Sequence, residues 1–106
     1  MFSVREFQRK QKEWSDKNFP NKKQYHPLLG AVEELGELAH AQLKFEQGIR
    51  GTEQTLIAEA QDAVADVIIY LADYCNQRGF DLETVLETTW ERVRKRDWTK
   101  NKENGE

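Results

Sequence analysis

Apolar positions along this chain recur at three- and four-residue intervals and nowhere alternate, a pattern that predicts helices and no strands. Ser3 followed by Glu6 reads as a capping box, opening a helix on which Phe7, Gln11 and Trp14 recur and which fades near Asn18. Phe19, Pro20 and Asn21 break it. Pro27 suits a first helical turn, and the stripe Leu28, Val32, Leu35, Ala39 and Leu43 carries a second helix to about Glu46, ended by Gly48 and Gly51. Thr52 caps the third and longest helix, which runs to about Gln77 before Arg78 and Gly79 stop it. Asp81 caps a fourth, bearing Leu82, Val85, Leu86, Thr89, Trp90 and Val93, which frays after Trp98 into a polar tail from about residue 99. With no internal repeat or low-complexity segment, the expectation is one all-α domain over residues 1–106, an antiparallel, bundle-like arrangement of four helices.

The third helix carries two contact faces. Leu56, Ile57, Val64, Val67, Ile68, Leu71 and Tyr74 make one broad apolar face, while Ala58, Ala65 and Ala72 align at seven-residue spacing on another, where a neighbouring helix can approach closely. The second helix offers small residues too, at Gly30, Gly36, Ala39 and Ala41. A chain of 106 residues buries a limited share of its surface alone, so a homodimer or larger homo-oligomer is expected.

Between those faces lies a stripe of acids. At about 100° per residue, Glu59, Asp62, Asp66 and Asp73 fall within an arc of roughly 60° on one helix, in a stretch from Gly51 to Gln77 that holds no Lys or Arg. Glu33, Glu34 and Glu37 form a second cluster, in the segment Gln24 to Leu43 that also lacks them. Like charges on one face repel and raise one another's pKa. Two such helices side by side would converge on a hard divalent cation, and oxygen-only donors favour Mg²⁺ or Mn²⁺ over Zn²⁺. The bland alternative is a solvated acidic face.

Charge is segregated. The formal net charge of −3 sums an acidic middle with basic ends: Arg5, Arg9, Lys10, Lys12, Lys17, Lys22 and Lys23, then Arg92, Arg94, Lys95, Arg96, Lys100 and Lys102. The ends either ring the acidic centre to meet an anionic substrate or are solvated amphipathic helices. Interspersed acids and a negative total argue against nucleic acid as partner. Cys75, the single cysteine, excludes an intrachain disulfide and reads as a buried structural thiol. No run is long enough to cross a bilayer and no N-terminal apolar region precedes the first helix, so no membrane association is expected and the protein reads as cytoplasmic.

The run Glu33-Glu34-Leu35-Gly36-Glu37-Leu38, followed by Asp62-Ala63-Val64-Ala65-Asp66-Val67-Ile68-Ile69-Tyr70-Leu71, resembles the MazG-like all-α nucleoside triphosphate pyrophosphohydrolases, over roughly Pro27 to Trp98. That family carries Glu-x-x-Glu on one helix and Glu-x-x-Asp on the next, binds Mg²⁺ through them, and cleaves nucleotides between the α and β phosphates to release pyrophosphate. The resemblance implies that Glu34 and Glu37 form the first pair and that Asp66 is the motif aspartate. Three residues before Asp66, where the family has glutamate, stands Ala63; Asp62, which shares a face with Asp66 at i, i+4, is the natural substitute. The expected metal ligands are therefore Glu34, Glu37, Asp62 and Asp66, with Glu33 or Glu59 orienting or deprotonating the attacking water.

Around this centre, Tyr70 is a candidate contact to base or sugar, and Lys44, Arg50, Lys95 and Arg96 are candidate phosphate contacts. Trp14, Trp90 and Trp98 are base-stacking candidates or core and interface aromatics. Glu37 and His40 make half of a di-iron Glu-x-x-His motif, which lacks a second histidine on the third or fourth helix. The expected activity is Mg²⁺-dependent hydrolysis of a nucleoside or deoxynucleoside triphosphate to monophosphate and pyrophosphate, in the service of nucleotide-pool cleaning. Two rivals stand beside it, a phosphoribosyl-ATP pyrophosphohydrolase and a non-catalytic helical protein-interaction module.

Overall fold

The computed structural model describes residues 2–106, which form four α-helices and no strand: α1 (Val4–Asn18), α2 (His26–Glu46), α3 (Glu53–Arg78) and α4 (Leu82–Val93). Local chemistry sets nearly every boundary. The Ser3 hydroxyl accepts from the Glu6 N–H at 3.1 Å. Glu6 itself turns outward to Lys10 and Arg9, so the predicted reciprocal box is only half made. Thr52 and Thr55 cap α3 reciprocally, Asp81 caps α4, and Gly79 ends α3 in the left-handed conformation at φ 73°. Pro27 sits in the first turn of α2 and is fully buried.

The dominant contact is the antiparallel α2–α3 hairpin; α1 packs on α3, and α4 on α1. The α1–α3 seam is polar. Gln8 Nε2 donates to Asn76 Oδ1 at 2.9 Å and to the Phe80 carbonyl at 2.8 Å, Asn76 Nδ2 donates to Gln11 Oε1 at 2.9 Å, and the Leu82 N–H donates to Gln8 Oε1 at 2.8 Å. Of the expected α1 face of Phe7, Gln11 and Trp14, Gln11 is buried, together with Gln8 and Ser15, while Phe7 is half-buried and Trp14 stays exposed. These buried amides are satisfied by specific partners, so they fix the register of α1 on α3 without an apolar stripe.

Little else closes the fold. Apart from Pro27, the buried apolar residues among those described are Ala31, Ala63, Ala72 and Cys75, all small. The predicted stripes of α2 and α3 remain open to solvent, with Val32 64% and Val64 58% exposed, as does Trp90 on α4 at 58%. The radius of gyration is 17.2 Å, against about 13 Å for a compact chain of this length. Beyond α4 the tail does not fray as expected: the Asp97 N–H donates to the Gly105 carbonyl, and Asp97 also caps Thr99 and Lys100. No helix among the described residues is long and apolar enough to cross a membrane.

Candidate functional site

Gly30 meets Tyr70 at one end of the α2–α3 hairpin, and Lys44 and Phe45 face Thr55 and Leu56 at the other. Between these ends runs a cleft of about 350 Å³ lined by Glu34, Glu37, Glu59, Asp62 and Asp66, with Leu38 and the buried Ala63 as its apolar lining. Two turns of α2 and three of α3 thus bring five of the six predicted acids of the site together. No lysine or arginine lines the cleft. The missing solvent and the charges of Glu37, Asp66 and Glu33 raise Glu34 above the ordinary glutamate range. Burial, then Glu34, Glu33, Asp66 and Asp73, push the Tyr70 hydroxyl above its ordinary value as well.

The donor chemistry fits a hard divalent cation, being all carboxylate oxygen with no competing base. The geometry is open. Among the described residues no group of three or more His, Cys, Asp or Glu side chains is gathered so that it could hold a metal ion. Closing the set would bring like charges together, a repulsion that a cation's charge would offset.

The other predicted residues distribute around this cleft. Glu33 is exposed and outside its lining, although close enough to act on Glu34 through space. Lys44 and Arg50 line an adjoining pocket of about 190 Å³ that shares Glu37 and Glu59 with the cleft, and Lys44 Nζ donates to Gln47 there at 3.1 Å. Tyr70 lies one turn beyond Asp66, in a separate pocket. Lys95 and Arg96 follow α4, and neither lines the cleft; Arg96 lies against Gly105 in the folded tail. The basic residues of α1 are mostly engaged along their own helix, in Arg9–Glu13, Lys10–Glu6 and Lys12–Asp16 pairs, which makes that segment a solvated face.

Asp73 departs from the stripe. It is buried, bonded to Ser15 of α1 and beside Lys22, and is outside the lining of the cleft. Helical spacing alone aligns it with Asp66; the packing of α1 on this part of α3 is a tertiary fact that the spacing does not contain. His26 Nδ1 accepts the Lys23 N–H at 3.0 Å, while His40 lines the pocket at the opposite end of the hairpin, so the two histidines do not make a di-iron pair. No family model matches the chain, and no curated protein or solved structure is similar to it at a significant level.

Proposed function

We propose that this chain is a MazG-like, Mg²⁺-dependent hydrolase that cuts nucleoside or deoxynucleoside triphosphates to monophosphate and pyrophosphate inside the cell. The observation that supports it is the convergence of Glu34, Glu37, Glu59, Asp62 and Asp66 on one cleft free of lysine and arginine. In this reading Glu34, Glu37, Asp62 and Asp66 hold the metal, with Mn²⁺ an acceptable replacement. The bound cation supplies the positive charge that polarises the phosphoanhydride and lowers the pKa of water.

The remaining work falls to side chains. Glu59 lines the cleft and Glu33 does not, so Glu59 is the carboxylate that accepts the hydrogen bond of the attacking water and takes its proton. Water adds across the α–β phosphoanhydride, and the leaving pyrophosphate departs with the bonding electron pair. Lys44 and Arg50, at the α3 N-terminal end of the cleft, receive its charge. The apolar faces of α2 and α3 that stand open in one chain are covered by a second copy, which is the form in which Lys95 and Arg96 reach substrate.

The decisive experiment is incubation of the purified protein with a panel of ribo- and deoxyribonucleoside triphosphates in Mg²⁺, with and without EDTA, resolving pyrophosphate from orthophosphate. Metal-dependent pyrophosphate and monophosphate, lost in Asp66→Asn, are expected. Turnover confined to phosphoribosyl-ATP would select that rival. Silence on every substrate, with no Mg²⁺-linked rise in Tm, would leave the interaction module.

A further inference from the structure

Two kinds of contact hold the four helices together. Where α2 meets α3 the packing is apolar, with Tyr70 seated directly on Gly30 and Ala63 buried in the cleft between them. Where α1 meets α3 the groups are polar. Asn76 Nδ2 donates to the Gln8 carbonyl at 3.2 Å and to Gln11 Oε1 at 2.9 Å, and the Ser15 hydroxyl donates to Asp73 Oδ2 at 3.0 Å. Lys22, its side chain almost wholly buried, stands between Asp16 of α1 and Asp73 of α3, at 3.3 and 3.9 Å. The fourth helix is tied to the first: Arg5 reaches Asp81 and Glu83 at 2.8 and 2.7 Å, and α1 is the main packing partner of α4.

These contacts respond differently to water. Water replaces a hydrogen bond between side chains at small net loss, whereas it offers nothing in place of apolar packing. The polar seam also has no halfway position. A slip of α1 by one turn would leave Gln8, Gln11 and Asn76 buried without partners, so the seam is either closed in register or open and hydrated.

The backbone offers a pivot on each side of the seam. Lys23 and Gln24 belong with the hairpin: the Lys23 N–H donates to His26 Nδ1, and the Gln24 side chain is held at 3.2 Å by both the Gln77 carbonyl and Arg78. The first pivot therefore falls between Lys22 and Lys23. The Phe80 N–H closes the end of α3 on the Cys75 carbonyl at 2.8 Å, which puts the second between Phe80 and Asp81. We propose that α1 and α4 form one body that swings off the α2–α3 hairpin about these two points, breaking the polar seam as a unit while the hairpin stays folded. The side chains lining the acidic cleft all belong to α2 and α3, so the cleft outlasts the opening, whatever it binds. What the swing uncovers is the face of α3 that carries Asp73 and Asn76.

Native-state hydrogen exchange on the full chain tests this, followed amide by amide by NMR across low urea concentrations and at two protein concentrations. The amides of α1 and α4 are expected to share one opening, about ten- to a thousandfold more frequent than that of the central α3 amides and with a shallower dependence on urea. Lys22→Met should make that opening about ten- to hundredfold more frequent and leave the α3 rates as they are. Should that variant not fold, Asp73→Asn, which keeps an oxygen for Ser15, takes its place with the same expectation. Exchange of α1 at the rates and urea slope of α3 overturns the proposal, as does an α4 that opens apart from α1 in the wild type. So does a Lys22→Met or Asp73→Asn variant that speeds α3 as much as α1, or speeds neither. A gap between the two bodies that closes on dilution, when protection lent by a second copy is removed, overturns it too.

Discussion

Replacing Gly30 with alanine and, separately, Gly36 with alanine sets two energies against each other on one helix. Both glycines lie inside α2, where alanine is worth about 1 kcal/mol more than glycine. At Gly36 an added Cβ meets nothing within 4 Å, so the whole gain should appear, about 4–8 °C in Tm for a domain of this size. At Gly30 the same methyl drives into the Tyr70 ring, and forced overpacking costs roughly 1–3 kcal/mol. The net at Gly30 runs from about zero to about 2 kcal/mol of destabilisation. Because the propensity gain cancels between the variants, the difference in their stabilities isolates the Tyr70 contact. Thermal denaturation of both at one protein concentration measures it. Equal Tm values for the two variants would refute the close packing of Tyr70 on α2. A drop at Gly36 would show that another surface covers that position.

Three further outcomes follow from charge and exposure. Glu34, raised above its ordinary value by lost solvent and its acidic neighbours, favours folding at low pH and loses that contribution as pH rises through its shifted pKa; Glu34→Gln should flatten the fall of metal-free Tm between mildly acidic and neutral pH, and a profile parallel to wild type would contradict the assignment. Asp81 moves the other way. The Arg5 guanidinium, helped by the Thr84 hydroxyl, holds it down to about 2, so its contribution is present above the ordinary carboxylate range and disappears as pH falls through about 2; Arg5→Met should lower Tm at neutral pH and converge on wild type in strong acid. For the open helix faces, sedimentation equilibrium should give a dimer or larger species, and Val32→Arg with Val64→Arg should yield monomer. A wild-type monomer at every concentration would refute the covered face.

The helix ends were legible in the sequence because their causes are local. Ser3, Thr52, Asp81 and Gly79 act on backbone groups within a few residues of themselves, and each does what its type predicts. The carboxylate cleft was legible for a related reason: Glu34 with Glu37 and Asp62 with Asp66 share faces by helical geometry, and a short link forces the two helices to be neighbours. The polar seam was not. Gln8, Gln11 and Ser15 find partners 58 to 74 residues away, and nothing in a glutamine's own neighbourhood says that it will be buried. The same blindness placed Asp73 with the cleft acids, because spacing orders residues around a helix without saying which neighbour covers each turn.

The connection between α2 and α3 contributes no carboxylate, yet Gly48 and Gly51 within it stand at φ +71° and +79°, where other residues are strained. They set how the chain reverses and therefore how far apart the two acid-bearing helices enter the hairpin. A search for variants with altered chemistry that sampled only the five cleft acids would miss this control. The shape of such a cleft is open to heritable change at positions that line no part of it, acting through the path of the backbone alone.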